Sequence, residues 1–153
     1  TSAPPPATID GAREAVHRWL APRKLAIPGF QVDNGSGLSR TERVTARGLV
    51  QLLAAAHASP VREALAASLA IAATDGTLER RMRNGSAAGR ALLKTGSLEG
   101  VRALAGYLQD AGETRWILVA IVNHPHAARA QVALDVLADW TLRNAASHTP
   151  PRH

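Results

Sequence analysis

The chain has no cysteine, and aromatic residues make up only 3% of its sequence. The absence of cysteine excludes disulfides, thiol catalysis and zinc sites built on thiolates, and it leaves the redox compartment undetermined. The few aromatic residues are widely spaced, so they cannot form a stacking platform for single-stranded nucleic acid. We therefore expect a core built mainly from leucine, valine, isoleucine and alanine.

Long apolar runs are lacking as well. The longest is WILVAIV at residues 116–122, far shorter than the about 20 residues that a transmembrane helix needs. The chain opens with TSAPPPAT, which has the composition of a proline-rich lead-in rather than of a signal peptide. The sequence therefore predicts no membrane span, and any export signal of the parent protein is expected outside this segment.

Acidic residues are fewer than basic ones, and the formal net charge is +6. A basic chain attracts polyanions such as nucleic acid, anionic lipid or an anionic cell-wall polymer. The arginines are nevertheless spread along the chain, and the one tight cluster is Arg80, Arg81 and Arg83. We interpret the charge as a solvated basic surface, and we expect no nucleic-acid partner.

The first half of the chain has helical patterning. At 153 residues, one domain is the default expectation, here residues 8–145 between a disordered lead-in at 1–7 and a tail at 146–153. Apolar spacing predicts three helices. The first is capped by Thr8 or Asp10 and has Trp19 on its apolar face. The second begins near Thr45, or earlier because Ser39 and Glu42 have the spacing of a capping box, and the third has Pro60 at its first position.

The second half changes to strand patterning. Three strands are predicted, at residues 90–95, 101–109 and 115–122. Gly106 is a candidate for a bulge, DAGE at 110–113 is typical of a hairpin turn, and the last strand is expected to be buried on both faces. A final helix over 127–144 should turn four apolar residues inward: Val132, Val136, Leu137 and Trp140. The order of these elements predicts an α+β layer architecture.

Lys94 stands out because Lys24 is the only other lysine in the sequence. An ammonium group is a compact point charge that arginine does not reproduce. Lys94 is followed by Thr95, Gly96 and Ser97 at the end of a predicted strand. This KTG sequence with a following hydroxyl residue resembles one element of the penicillin-recognising serine hydrolases, which include the penicillin-binding proteins and the serine β-lactamases. The simpler alternative is a solvated lysine at a strand end.

Three further strings strengthen the resemblance. In chain order the set is DNGSGLSR, DGTL, KTGSLEGVRALAGY and VNH, at residues 33–40, 75–78, 94–107 and 122–124. Together they resemble the C-terminal portion of the class C low-molecular-mass penicillin-binding proteins, which are D-alanyl-D-alanine carboxypeptidases and endopeptidases. The resemblance runs from about residue 12 to 144. It implies the C-terminal part of a penicillin-binding, transpeptidase-like (serine β-lactamase-like) domain, with antiparallel strands covered by helices.

The resemblance also implies roles for the residues of the KTG string. Lys94 would lie beside the nucleophile and attract the terminal carboxylate of a peptidoglycan stem peptide or of a β-lactam. The hydroxyls of Thr95 and Ser97 would bind the same carboxylate, and the Ser97 N–H would be an oxyanion-hole donor. Gly96 would keep the strand edge small for an extended substrate. Lys94 and Ser97 are thus the catalytic candidates. No cofactor or metal is implied, and the implied location is periplasmic or otherwise extracytoplasmic.

Two motifs of the same family are absent. The residues three positions before the two lysines are Ala21 and Ala91, so there is no Ser-x-x-Lys, and no serine has asparagine two positions later. In the family both motifs lie upstream of DNGSGLSR, so this sequence resembles the last third of an enzyme and is predicted to be inactive alone. The missing N-terminal portion is its expected partner. The strand at 115–122 would then have an unpaired edge that recruits that portion or a second copy.

Two functional classes remain open at this point. The first is a portion of a carboxypeptidase; the second is a non-catalytic basic domain that binds nucleic acid or a cell-wall polyanion with steep salt dependence. Other candidates have structural interpretations. Asp75 and Gly76 are expected to form a turn, Ser36 to be structural, and His124 and His126 to be a loop pair without a third metal ligand.

Overall fold

The structure is a computed structural model that describes residues 7–145. The predicted disorder of the lead-in at residues 1–7, apart from Ala7, and of the tail at 146–153 therefore lies outside the described residues. The described residues form two compact units, which are divided between Leu52 and Leu53. Within residues 7–145, no helix is long and apolar enough to cross a membrane.

The first unit begins with helix α1, Ile9–Leu20. As predicted, Thr8 caps the helix, because its Oγ1 accepts a hydrogen bond from the Gly11 N–H at 3.0 Å and so satisfies one of the free donors at the helix start. The apolar stripe of this helix is mostly exposed. Trp19 is 43% exposed, and Leu20 is the buried residue of the helix.

Helix α2, Ala46–His57, begins where the sequence predicts. The Thr45 Oγ1 accepts a hydrogen bond from the Gly48 N–H at 3.0 Å, which is the interaction that favours threonine at a helix start. Before it, an isolated bridge pairs Gln31 with Arg43 and closes the glycine-rich loop. In that loop the Leu38 N–H donates to the Ser36 Oγ at 3.1 Å, which confirms the structural role predicted for Ser36.

The second unit contains a sheet of four antiparallel strands. In space the strands follow their chain order, β1-β2-β3-β4, and their bounds are Ala70–Ile71, Ala91–Leu98, Val101–Gln109 and Arg115–Asn123. The three predicted strands are confirmed, whereas the two-residue β1 was not predicted. Helix α3, Arg62–Ala67, precedes the sheet and begins two residues after Pro60, so the predicted helix start at this proline is wrong.

Two tight turns set the register of the sheet. Leu98 of β2 pairs with Val101 of β3, so two residues form the turn between these strands. The second of them, Gly100, has φ +73°. Glycine adopts this left-handed conformation without a steric penalty. The predicted hairpin turn between β3 and β4 is confirmed, because the Asp110 N–H donates to the Thr114 C=O at 3.0 Å.

Helix α4, Gln131–Ala145, covers one face of the sheet after a single 3-10 turn at Ala127–Ala130. Leu93, Leu104 and Leu118 belong to the core on this face of the sheet. The inward orientation predicted for three residues of α4 is wrong, since Val132, Val136 and Trp140 are 70%, 53% and 54% exposed. The buried residues lie at the same spacing on a neighbouring stripe: Leu134, Ala138, Leu142 and Ala145.

Gly106 does not form a bulge. It pairs with Leu93 on one side and Leu118 on the other, in ladders without interruption. Its φ is +152°, and a Cβ placed on it would lie 2.2 Å from the Leu92 carbonyl oxygen. Glycine is therefore needed here because the two strands approach each other closely.

The apolar run in β4 is only partly buried. Leu118 is its one buried residue, so the predicted burial on both faces is wrong for the described residues. Alternate residues of a strand face opposite sides of a sheet, and the side opposite α4 carries the half-buried Ile117, Val119 and Ile121. Within the described residues β4 pairs with β3 alone.

Candidate functional site

The KTG string occupies the second half of β2, where one side of the strand has no neighbour. β3 pairs with the whole of β2, from Ala91 to Leu98. β1 pairs only with Leu92 and Leu93. Residues 94–98 therefore have an edge, on the side away from β3, that no strand of the described chain covers. We call this segment the open edge of β2.

Hydrogen bonds at the start of β2 show which main-chain groups point to the open edge. The Ala91 C=O accepts from the Ala72 N–H at 2.9 Å on the β1 side, and the Arg90 C=O accepts from the Gln109 N–H at 2.9 Å on the β3 side. Successive residues of an antiparallel strand direct their main-chain groups to alternate sides. The main-chain groups of every second residue after Ala91 therefore point to the same side as those of Ala91. For Thr95 and Ser97, this side is the open edge.

The ammonium group of Lys94 lies at the same edge. Its Nζ donates to the Thr95 C=O at 3.1 Å, and that carbonyl is one of the groups directed to the open edge. The side chain leaves β2 on the face opposite Thr95, because side chains alternate along a strand. A long exposed side chain thus returns to the edge of its own strand and places a positive charge there.

Gly96 has no side chain that could obstruct the face of β2 beside the Lys94 ammonium group. It pairs with Ala103 of β3, and a Cβ added to Gly96 would lie 3.1 Å from the Ala103 Cβ. Two of the smallest residues therefore stand side by side on the face from which Lys94 projects. A larger side chain at position 96 would rise above this surface next to the ammonium group.

Thr95 contacts a second threonine outside the strand. Its Oγ1 donates a hydrogen bond to the Oγ1 of Thr77 at 3.0 Å. Thr77 lies in a 3-10 turn, Gly76–Leu78, where the Asp75 carboxylate accepts from the Ile71 N–H at 2.6 Å. The turn-forming role predicted for Asp75 is confirmed, whereas the contact made by Thr77 was missed. A string such as DGTL carries no signal for a hydrogen bond to a residue 18 positions away.

Ser97 borders a hollow of about 440 Å³. The hollow lies at the β2–β3 turn and the loop after β4, and its other lining residues are Leu98, Glu99, Gly100, Arg102, Pro125 and Ala128. Arg102 pairs with Ser97 across the ladder, and its guanidinium donates to the carbonyls of Leu98 and Val101, both at 2.8 Å. A second cation is thus held near the serine end of the open edge.

The histidine pair forms a local loop contact. The His126 N–H donates to the Nδ1 of His124 at 3.0 Å, and the ring centroids are 5.4 Å apart. Among residues 7–145, no group of three histidine, aspartate or glutamate side chains could hold a metal ion. The described site presents a cationic strand edge with hydroxyl and amide donors.

Comparison with known proteins identifies the family. Residues 2–142 match the model of the D-Ala-D-Ala carboxypeptidase 3 (S13) family. The chain belongs to this family. Its membership favours the first of the two functional classes left open by the sequence, a portion of a carboxypeptidase, over an unrelated basic binding domain.

Curated relatives of the S13 chain agree with this assignment. A D-alanyl-D-alanine carboxypeptidase of Actinomadura sp. (strain R39) is 34% identical over 149 residues, which is 94% of this chain and 27% of the relative. Carboxypeptidase DacB of Mycolicibacterium smegmatis is 34% identical over 139 residues, 87% of this chain and 30% of the relative. The chain thus spans less than a third of the length of these relatives.

A solved structure supports the fold. Penicillin binding protein 4 of Haemophilus influenzae, crystallised in complex with a β-lactam, matches 77% of this chain and 28% of its own chain with a TM-score of 0.71 and 28% identity. The predicted α+β architecture of a penicillin-binding protein is therefore confirmed for this S13 chain.

Proposed function

We propose that this chain is part of a serine-type D-Ala-D-Ala carboxypeptidase/endopeptidase that acts on peptidoglycan stem peptides and is acylated by β-lactams. In this proposal the chain supplies the strand that binds the substrate carboxylate and stabilises the oxyanion, through Lys94, Thr95, Gly96 and Ser97. One observation carries it: the Lys94 ammonium and the Ser97 N–H lie at the same open edge of β2. Membership of the S13 family supports the substrate class.

Substrate binding follows from the chemistry of the open edge. An extended stem peptide adds to an unpaired strand edge by main-chain hydrogen bonds, and Gly96 leaves room for it. The terminal carboxylate is met by the Lys94 ammonium and by the hydroxyls of Thr95 and Ser97. A hydrogen bond that involves a charged group contributes about 1.5–3 kcal/mol, so these contacts select substrates that end in a carboxylate.

The Ser97 N–H acts on the reaction itself. When a serine oxygen bonds to the scissile carbonyl carbon, the carbonyl oxygen becomes an oxyanion, and one such donor stabilises the transition state by about 2.7–4 kcal/mol. The serine gives its proton to its base, and this proton passes to the departing D-alanine amine when the C–N bond breaks. Water later hydrolyses the acyl ester. The serine, its lysine base and the Ser-x-Asn network are expected in the part of the protein upstream of this chain, so this chain alone is inactive.

The partner of the chain is that upstream portion, and we propose β4 as the place where it pairs. The outer edge of β4 is apolar and unpaired in the described residues, and such edges recruit strands. A second copy of the chain pairs there when the upstream portion is absent. The location that fits a peptidoglycan substrate is periplasmic or otherwise extracytoplasmic.

The decisive experiment uses the complete protein and a fluorescent penicillin. We expect covalent labelling of the complete protein, none of this chain alone, and at least a tenfold slower labelling after Lys94→Ala, because the variant loses a charge-assisted contact with the β-lactam carboxylate. Lys24→Gly is the matched control: it removes the other lysine, whose φ of 54° suits glycine. A complete protein that stays unlabelled, or labels equally well after Lys94→Ala, contradicts the proposal.

A further inference from the structure

We propose that Thr77 is a positioning residue that orients the hydroxyl of Thr95 toward the substrate carboxylate. The inference rests on the function proposed above and concerns a residue outside the KTG string. Its starting point is the hydrogen bond of 3.0 Å between the two Oγ1 atoms. This bond joins β2 to the turn at Gly76–Leu78.

Thr77 is held in place by its neighbour Leu78. Leu78 is 0% exposed and belongs to the core cluster under the sheet. Its main chain is also fixed, since the Leu78 N–H donates to the Asp75 C=O at 3.1 Å and the Ala73 N–H donates to the Leu78 C=O at 3.0 Å. The hydroxyl of Thr77 therefore sits on a rigid support next to an exposed strand edge.

Helix α4 fixes the segment that links this turn to β2. The Asp139 carboxylate accepts from the Ala87 N–H at 2.8 Å. The Arg81 guanidinium donates hydrogen bonds from its Nε and Nη2 to the Asp135 carboxylate, and both side chains are less than one fifth exposed. A paired arginine and carboxylate of this geometry restrains the backbone that carries them. The position of Thr77 relative to Thr95 is thus restrained by the burial of Leu78 and by the bonds from α4 to the linking segment.

The two hydroxyls can exchange donor and acceptor roles. A threonine hydroxyl has one proton and two acceptor lone pairs, and in the described structure the Thr95 proton is directed to Thr77. A substrate carboxylate only accepts, so Thr95 has to turn its proton toward the carboxylate when the substrate binds. Thr77 then keeps the pair by donating its own proton to the Thr95 Oγ1, and the distance between the oxygens need not change.

This exchange gives Thr77 a specific effect on the carboxylate. A hydroxyl that accepts a hydrogen bond while it donates another is a stronger donor, because the bonds in a chain polarise each other. The bond from Thr77 also holds the oxygen of Thr95 in one position, although threonine has more than one allowed rotamer. Loss of the Thr77 hydroxyl should therefore weaken recognition of a carboxylate more than recognition of an uncharged terminus.

The test measures kcat/KM of the complete protein for a peptide that ends in D-Ala-D-Ala and for the same peptide with a C-terminal amide. Thr77→Val keeps the shape and removes the hydroxyl; we expect kcat/KM for the carboxylate peptide to fall about three- to tenfold, with little change for the amide. Thr77→Ser should restore the ratio. The matched control is Thr74→Val, since the Thr74 hydroxyl bonds to the Ala72 C=O at 3.3 Å and not to Thr95.

The ratio of the two substrates does not depend on the fraction of enzyme that is folded, so a destabilised variant still gives an answer. An unchanged ratio after Thr77→Val, with a lowered ratio after Thr95→Val, overturns this inference and leaves the proposed function standing. An unchanged ratio after Thr95→Val overturns the proposed role of the open edge itself.

Discussion

The open edge of β2 and the outer edge of β4 both lack a strand neighbour in the described residues, and they differ in chemistry. The β2 edge carries an ammonium group, two hydroxyls and a glycine. The β4 edge belongs to the apolar run at residues 116–122. Polar and charged edges resist uncontrolled strand pairing, whereas apolar edges favour it. The first edge therefore suits a small anionic ligand that binds and leaves, and the second suits a permanent cover.

The largest expected effect comes from substitution of the glycines of the sheet, which separates a residue needed for strand packing from one needed at the open edge. Gly106→Ala should destabilise the chain by roughly 2–6 kcal/mol, because its Cβ meets the Leu92 carbonyl and its φ is unfavourable for alanine. Gly96→Ala, with its nearest contact at 3.1 Å, should cost far less stability and instead slow labelling of the complete protein by penicillin. Thermal unfolding and labelling rates measure both. Equal losses of stability would show that Gly96 serves the sheet rather than the ligand.

The β4 edge can be tested with proline. The Gly100 C=O accepts from the His124 N–H at 2.9 Å, so by alternation the main-chain groups of Ala120 point to β3 and those of Val119 point outward. Val119→Pro should leave this chain nearly as stable as before and destabilise the complete protein by about 1–3 kcal/mol, because it removes a donor to the covering strand. Differential scanning calorimetry of both forms makes the comparison.

Ala120→Pro is the matched control for this prediction, since it removes a donor from the β3–β4 ladder and should destabilise the chain and the complete protein alike. If Val119→Pro has the same effect in both forms, the outer edge of β4 is not a pairing site.

The hairpin that leads into β4 supplies the smallest expected effect. The Asp110 carboxylate accepts hydrogen bonds at 2.9 Å from the Trp116 Nε1 and from the N–H groups of Gly112 and Thr114. The hydrogen bond from Trp116, followed by those from the backbone, lowers the pKa of Asp110, while burial opposes the shift.

A lowered pKa in the folded chain means that the carboxylate stabilises the fold above the usual aspartate pKa and loses this effect as the pH falls through the folded value. Asp110→Asn should therefore lower Tm at neutral pH, and the difference from the natural chain should shrink as the pH falls below the usual aspartate pKa. A difference in Tm that is independent of pH would show that the charge of Asp110 does not stabilise the turn.

Local patterns predicted much of the fold because the deciding interactions are local. The cap at Thr8, the start of α2 after Thr45 and the turn at Asp110 each depend on side chains that bond to main-chain groups a few residues away. Such bonds follow from residue type and spacing alone.

The errors concern burial, which depends on distant parts of the chain. In α4 two apolar stripes have the same i, i+4 spacing, and periodicity alone cannot select Leu134 and Ala138 over Val132 and Val136. The apolar run of β4 correctly indicated a strand, but its degree of burial depends on what covers it. At the site, the KTG string pointed to β2, whereas the bond from Thr77 to Thr95 is a tertiary contact without a sequence signature.

The two-residue turn between Leu98 and Val101 has a consequence for any engineering of this chain. The main-chain groups of alternate residues of β2 point to the open edge, and the length of the turn decides which alternate set this is. One residue inserted there and absorbed by a slip of β2 against β3 would direct the amides of Lys94 and Gly96 outward and those of Thr95 and Ser97 into the ladder. The same four residues would then present different main-chain groups at the edge, so the length of this turn should be kept when the hairpin is grafted or redesigned.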